Sequence, residues 1–121
     1  MKRSMKNCRA SKFHAKPQRA DGIYFPSTGE YKRYLQLKLE QSVGQIDSLQ
    51  VHHRYPIVVG GTQVCLVELD FSYSKGGKWV YEDFKGVYTS ESRLRHKLFE
   101  AYYGDKVLIT RAPTSQRGRR R

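Results

Sequence analysis

Two adjacent glycines, Gly76 and Gly77, constrain this sequence more than any other feature, because they separate two segments rich in β-branched and aromatic residues. A Gly-Gly pair in this setting is typical of a two-residue hairpin turn, which needs positive φ angles that glycine adopts at little cost. The turn fixes the strand pairing, so Asp70 is predicted to face Asp83. Directly opposed carboxylates repel each other, and a positive group is therefore expected between them.

The alternation of side chains along the two strands supports this register. The apolar face of the first strand comprises Cys65, Val67, Leu69, Phe71 and Tyr73. The opposite face carries Asp70, and the register adds Asp83 and Lys85 to it. Glu68 faces Lys85, where an ordinary ion pair could form alongside any catalytic role. Glu82 falls on the apolar face; a loop of another length would bring Glu82 opposite Asp70, but would turn the apolar residues of the second strand away from the core.

The charge of the chain indicates a polyanionic partner. The 121 residues suit one domain and include 23 lysines and arginines against 11 acids, a formal net charge of +12. Nucleic acid is the first candidate for a partner and an acidic membrane surface the second. No segment has the roughly 18 apolar residues of a spanning helix, and the basic N-terminus lacks the apolar core of a signal peptide. Cys8 and Cys65 are not expected to form a disulfide, so a reducing cytoplasm is predicted.

Composition divides the chain into a basic flexible arm (1–20), a central domain (21–112) and a basic tail (113–121). The two ends either contact phosphates or only keep the protein soluble. Arg93 and Lys97 could likewise be no more than the solvated face of a helix. The basic residues predicted to contact nucleic acid are Arg33, Arg93, Lys97, Lys12, Lys16 and Arg19.

Helix and strand signals predict an α+β domain with the order αβββαβ. Ser27 is the expected N-cap of the first helix, with Glu30 completing a capping box and Gly44 ending it. A strand is predicted over about 49–59, followed by the hairpin. Thr89 or Ser90 should cap a second helix that ends at Gly104, before a last strand over 106–110. The predicted apolar stripe of the second helix is Leu94, Leu98, Ala101 and Tyr102. Its predicted polar side carries Arg93, His96 and Lys97.

Paired carboxylates with a nearby lysine suit metal-dependent hydrolysis of phosphodiesters. Asp70 and Asp83 are predicted to hold Mg²⁺, for which Mn²⁺ should substitute, because hard cations bind carboxylate oxygens and retain several waters. Lys85 would orient or deprotonate the attacking water and stabilise developing negative charge. Glu30 could complete the site as a further ligand or through an ordered water, although its capping box already explains it adequately. Neighbouring His52 and His53 are interpreted as strand residues rather than ligands, although one of them could contact phosphate.

The order αβββαβ, with Asp70 on the second strand and Asp83-Phe84-Lys85 on the third, resembles the PD-(D/E)XK nuclease superfamily. More closely, residues 21–110 resemble a family of small phage-encoded endonucleases within it, which implies that the cytoplasm is that of a host cell. The matching stretches are Asp21-Gly22-Ile23-Tyr24-Phe25, residues 27–34, Asp70-Phe71-Ser72-Tyr73 and Tyr81-Glu82-Asp83-Phe84-Lys85-Gly86. The residue before Asp70 is Leu69, where the superfamily motif has proline.

This resemblance implies a restriction-endonuclease-like fold, a mixed central sheet flanked by helices. It implies catalytic roles for Glu30, Asp70, Asp83 and Lys85, with the three acids as metal ligands. Relatives include junction-resolving homodimers, so branched or recombination-intermediate DNA is the expected substrate by analogy. The alternative is a basic nucleic-acid-binding module without catalytic activity, for which the charge alone would suffice.

Overall fold

The computed structural model describes residues 17–111, whose elements follow the order ββαβββαβ. The helices are α1 (Thr28–Ser42) and α2 (Ser90–Tyr103), and the strands are β1 (Gln18–Ala20), β2 (Ile23–Phe25), β3 (Asp47–Val59), β4 (Thr62–Lys75), β5 (Lys78–Lys85) and β6 (Val107–Arg111). Strands β3 to β6 form a mixed sheet in that order, with β6 parallel to β5, and β1 pairs with β2 in a small hairpin. The predicted α+β class is confirmed, and the β1–β2 hairpin precedes the predicted αβββαβ series.

The hairpin at Gly76 and Gly77 has the predicted register. Both glycines have positive φ angles, 60° and 80°, as a primed turn requires. The recorded pairs run from Lys75 opposite Lys78 to Phe71 opposite Glu82. Beyond that point the Asp70 amide donates to Asp83 Oδ1 at 3.1 Å. The strand ladder therefore gives way to side-chain contacts where the two aspartates meet.

Two clusters of buried apolar side chains hold the helices to the sheet. The first cluster joins α1 and the β1–β2 hairpin to the end of β4 that precedes the Gly76-Gly77 turn. Its buried members are Phe25, Tyr34, Leu37, Ile46, Phe71 and Tyr73. The second joins α2 to the other end of β4, through Ile57, Val67, Leu69, Phe99 and Val107. The predicted apolar face of β4 is thus buried from Val67 to Tyr73, with Cys65 half-buried.

The predicted N-caps are confirmed at both helices. Ser27 accepts the amide of Glu30, and Thr89 accepts the amide of Ser92. Gly104 ends α2 in the left-handed conformation, at a φ of 85°. The chain therefore enters and leaves the helices almost where the sequence predicted.

The predicted apolar stripe of α2 was wrong. Leu94 and Tyr102 are 58% and 48% exposed, whereas His96 and Phe99 are the buried residues of this helix. His96 was predicted on the polar side, but its ring nitrogens contact Asp83 and Tyr88 at 2.8 and 2.9 Å. A polar side chain can be buried at low cost when its partners are buried with it, and hydropathy does not reveal this.

The predicted division into arm, domain and tail stays a prediction. Residues 1–16 and 112–121, including Lys12 and Lys16, lie outside the described residues. The described end of the predicted arm, Gln18–Ala20, forms strand β1.

Candidate metal centre

Three side chains from three elements converge where α1 lies beside strands β3 and β4. Glu30 comes from the first turn of α1, His52 from β3 and Asp70 from β4. One ligand atom of each, two carboxylate oxygens and an imidazole nitrogen, lies within 4.8 Å of the others. This separation suits joint coordination of one divalent cation, and all three residues are buried or half-buried.

Glu30 reaches this centre because the helix cap uses only its amide. The amide donates to Ser27 Oγ at 3.2 Å, as the predicted capping box requires. The carboxylate instead contacts His52, with Oε2 at 2.6 Å from Nε2. The side chain of Glu30 thus belongs to the candidate metal centre rather than to the cap.

His52 reaches the centre through an irregularity in the β3–β4 pairing. Val58 pairs with Gln63 but Ile57 pairs with Cys65, so β4 contains one additional residue between them. The extra residue shifts the register and brings His52 opposite Asp70, where the uninterrupted hairpin would have placed Val51.

His52, interpreted from the sequence as a strand residue rather than a ligand, therefore lies in β3 with its side chain at the candidate centre. A second glycine pair, Gly60-Gly61, marks this hairpin in the sequence, and both glycines have positive φ angles. The glycine pair predicts the turn, but nothing in the sequence predicts the bulge that follows it. A count of residues from the turn that ignores the bulge therefore gives the wrong partner for Asp70.

Asp70 and Asp83 lie side by side, as the hairpin register predicted. The amide of Phe84 donates to Asp70 Oδ2 at 2.8 Å. Burial raises the pKa of Asp70 to about 9, and the negative charges of Asp83 and Glu30 add to the effect. Burial and the neighbouring negative charges therefore favour the protonated form of Asp70.

Asp83 is surrounded by positive or hydrogen-donating groups. Its Oδ2 lies 3.1 Å from Lys85 Nζ and 2.8 Å from His96 Nε2. Burial alone would raise the pKa of Asp83, but the hydrogen bonds from His96 and Asp70 and the charge of Lys85 outweigh it and lower the pKa. The predicted positive partner of the aspartate pair is therefore Lys85, and Asp83 holds its ammonium group beside the centre.

The ion pair of Glu68 with Lys85, which the hairpin register allowed, does not form. Glu68 contacts Arg54 of β3 at 3.1 Å, because β4 pairs with β3 at this point. Lys85 is thereby left to Asp83.

Glu82, which a loop of another length would have placed opposite Asp70, lies outside the centre in a buried ion pair. Arg33 donates to its two carboxylate oxygens at 2.8 and 2.6 Å, and Tyr73 and Thr110 donate to them as well. Burial would raise the pKa of Glu82, but the hydrogen bonds from Arg33 and Tyr73 lower it below its usual value. Glu82 is fully buried, so its place on the apolar face is explained by these partners.

The guanidinium of Arg33 is engaged by Glu82, which favours a structural role; its predicted contact with nucleic acid stays a prediction. The guanidinium carbon of Arg19 lies 5.4 Å from the ring centroid of Tyr24. That of Arg93 lies 4.6 Å from the ring centroid of Tyr88. Arg93 and Lys97 are exposed on α2. The positions of Arg19, Arg93 and Lys97 do not test whether these residues contact nucleic acid, so those contacts stay predictions.

Two cavities border the centre. One of about 470 Å³ lies between the β1–β2 hairpin and β3, and Glu30, His52 and Asp70 form part of its wall. The other, of about 220 Å³, lies towards α2 and is bordered by Asp83, Lys85 and Arg95. The centre is thus open on the side of the candidate ligands and on the side of the lysine.

Gly29 permits the close packing of α1 against β5 beside the centre. A Cβ atom at this position would lie 2.5 Å from Cζ of Phe84, whose amide donates to Asp70. Gly29→Ala is therefore expected to destabilise the protein by about 1–3 kcal/mol, although alanine is the better helix former. Urea denaturation of this variant and of Gln36→Ala, an exposed site on the same helix, checks the prediction. Unchanged or increased stability would show that Phe84 moves aside freely.

Comparison with known proteins identifies a family whose function is unknown. The model of a family described as a protein of unknown function (DUF1064) matches residues 10–116. No curated protein and no solved structure matches the chain. None of the helices in the described residues is long and apolar enough to cross a membrane.

Proposed function

We propose that this chain, which belongs to the DUF1064 family, is a metal-dependent endonuclease that hydrolyses phosphodiester bonds in DNA. The observation that supports the proposal most is the group of Glu30, His52 and Asp70 beside the Asp83–Lys85 pair. The net charge of +12 adds a reason for a polyanionic substrate.

The residues at the centre fit a divalent cation, and we propose Mg²⁺ or Mn²⁺. Glu30 and Asp70 would hold it with carboxylate oxygens, and His52 offers a nitrogen. When bound, the cation would supply Lewis acidity towards the phosphate and a water of lowered pKa. Asp83 is not one of the three converging ligands, so its predicted role as a ligand stays part of the proposal.

Lys85 contributes positive charge at the position where phosphate would approach. Asp83 orients its ammonium group at 3.1 Å, and the lysine borders the cavity on the α2 side. A lysine held in this way stabilises negative charge that develops on the phosphate oxygens, and it can orient the attacking water. Asp83 thus has a role in positioning Lys85 as well as the proposed role in binding metal.

We propose branched or recombination-intermediate DNA as the substrate, cut by a homodimer, from the resemblance to junction-resolving enzymes. Purified protein is incubated with a four-way junction and with a linear duplex of the same sequence, with and without Mg²⁺. We expect Mg²⁺-dependent cutting, with the junction preferred. Absence of cleavage of these substrates, single strands and flaps with either Mg²⁺ or Mn²⁺ would refute the proposal.

The alternative is a non-catalytic binding module, which the excess of basic residues favours. It predicts binding that weakens steeply with salt and needs no metal. Asp83→Ala separates the two functions: a binder should retain or gain affinity on losing a carboxylate near phosphate, whereas the nuclease should lose cleavage. The two activities are measured on the same DNA, by electrophoretic mobility shift and by product formation.

A further inference from the structure

We infer that His52 is a direct nitrogen ligand of the cation, and that it makes the centre bind transition-metal ions, with Mn²⁺ as the test case, more tightly than Mg²⁺. The inference rests on the metal centre of the proposed function, but it does not require the DNA reaction. It assigns a metal-binding role to a side chain that the sequence pattern placed among ordinary strand residues.

The position of the imidazole is that of a ligand. His52 Nε2 lies 2.6 Å from Glu30 Oε2 and 4.0 Å from Asp70 Oδ1, so the nitrogen points between two carboxylates. A divalent cation at the same place would satisfy all three atoms at once.

The backbone of His52 is held in an unusual conformation. Its φ is 56°, in the left-handed region that residues with a Cβ atom seldom adopt. The ring packs against the buried ring of Phe25, with the centroids 5.6 Å apart. Strain of this kind persists only where the surrounding structure maintains it, and it is concentrated at functional sites. The β-bulge, the strained residue and the aromatic contact together fix the direction of one nitrogen.

The donor set distinguishes between cations. Mg²⁺ favours oxygen ligands in near-ideal octahedral geometry, whereas first-row transition metals accept imidazole nitrogen readily. Two carboxylates and one imidazole therefore bind either class, but the imidazole favours the transition metals. The nitrogen ligand should thus raise the affinity for Mn²⁺ more than the affinity for Mg²⁺.

The test measures metal binding to the full-length protein without DNA. The electron paramagnetic resonance signal of free Mn²⁺ gives the Mn²⁺ affinity, and competition with Mg²⁺ gives the affinity for the second ion. We expect Mn²⁺ to bind at least about tenfold more tightly than Mg²⁺. Electron spin-echo modulation of bound Mn²⁺ should show coupling to an imidazole nitrogen.

The decisive variant is His52→Asn. Asparagine tolerates the left-handed backbone and offers an amide oxygen in place of the nitrogen, so the fold and a metal site should both survive. We expect the nitrogen coupling to vanish and the preference for Mn²⁺ over Mg²⁺ to fall several-fold. His53→Ala is the matched control, because His53 is the neighbouring histidine and its side chain is exposed; it should keep both properties.

Three results would overturn the inference: bound Mn²⁺ without nitrogen coupling, an unchanged preference in folded His52→Asn, or no metal binding at all. Circular dichroism spectra of each variant establish that it is folded. A wild-type protein that binds Mn²⁺ through nitrogen but cuts no DNA would support this inference and refute only the proposed reaction.

Discussion

Asp70→Asn is expected to abolish DNA cleavage and to stabilise the metal-free protein. The first effect follows because Asp70 is the residue of β4 that lies between Glu30, His52 and Asp83. An amide in its place removes one anionic ligand, and we expect cleavage to fall at least about 100-fold. DNA binding should remain nearly unchanged, because a carboxylate near phosphate contributes no attraction.

The second effect follows from the raised pKa of Asp70. Below pH 3.8, the ordinary value for this carboxyl, Asp70 is protonated in both the folded and the unfolded chain. Between that pH and about 9 the unfolded chain loses the proton while the folded protein keeps it, so stability decreases as pH rises. Asparagine does not titrate, and its amide oxygen can still accept from the Phe84 amide. The stability gained by Asp70→Asn should therefore increase with pH.

Urea denaturation with a metal chelator present, at pH 5 and at pH 8, measures this effect. We expect the advantage of Asp70→Asn over the wild type to be larger at pH 8 by about 1–3 kcal/mol. Asp47→Asn, the same change at an exposed position of β3, should show no such difference. A variant that loses stability at both pH values, together with DNA binding, would identify Asp70 as a structural residue.

The parts of the centre that could be predicted from the sequence are those fixed by one tight turn. The Gly76-Gly77 hairpin spans few residues, so the meeting of Asp70 and Asp83 followed from counting and was confirmed. His52 lies beyond a bulge, and a bulge changes every later pairing by one residue. Counting residues from a glycine turn therefore predicted the strand partners correctly only as far as the first bulge in the sheet.

The residues that could not be predicted are polar side chains buried by distant partners. His96 looked like a residue of a solvated helix face, and Glu82 like an exception on an apolar strand face. Each is explained by a partner from another element: Asp83 for the histidine, and Arg33 for the glutamate. Hydropathy assigns a polar side chain to solvent, and only the tertiary fold shows which ones are neutralised in the interior.

Among the single substitutions of charged residues proposed for this protein, Arg33→Ala is expected to lower the free energy of unfolding the most. The guanidinium makes two hydrogen bonds to Glu82, whose carboxylate is fully buried. Without Arg33, the carboxylate keeps hydrogen bonds from Tyr73 and Thr110 but loses its counter-charge. Removing one partner of a buried ion pair costs about 3–5 kcal/mol, a large part of the 5–15 kcal/mol that stabilises a typical domain.

Urea denaturation of Arg33→Ala beside Lys32→Ala tests this role, because Lys32 is the adjacent, exposed basic residue of α1 and its removal changes the net charge equally. We expect the lysine variant to unfold within about 0.5 kcal/mol of the wild type. The double variant Arg33→Met with Glu82→Gln should recover part of the loss, since it leaves no unpaired charge in the interior. If Arg33→Ala were instead as stable as Lys32→Ala and only bound DNA more weakly, Arg33 would be a nucleic-acid contact, as the sequence first predicted, and the buried pair would contribute little to folding.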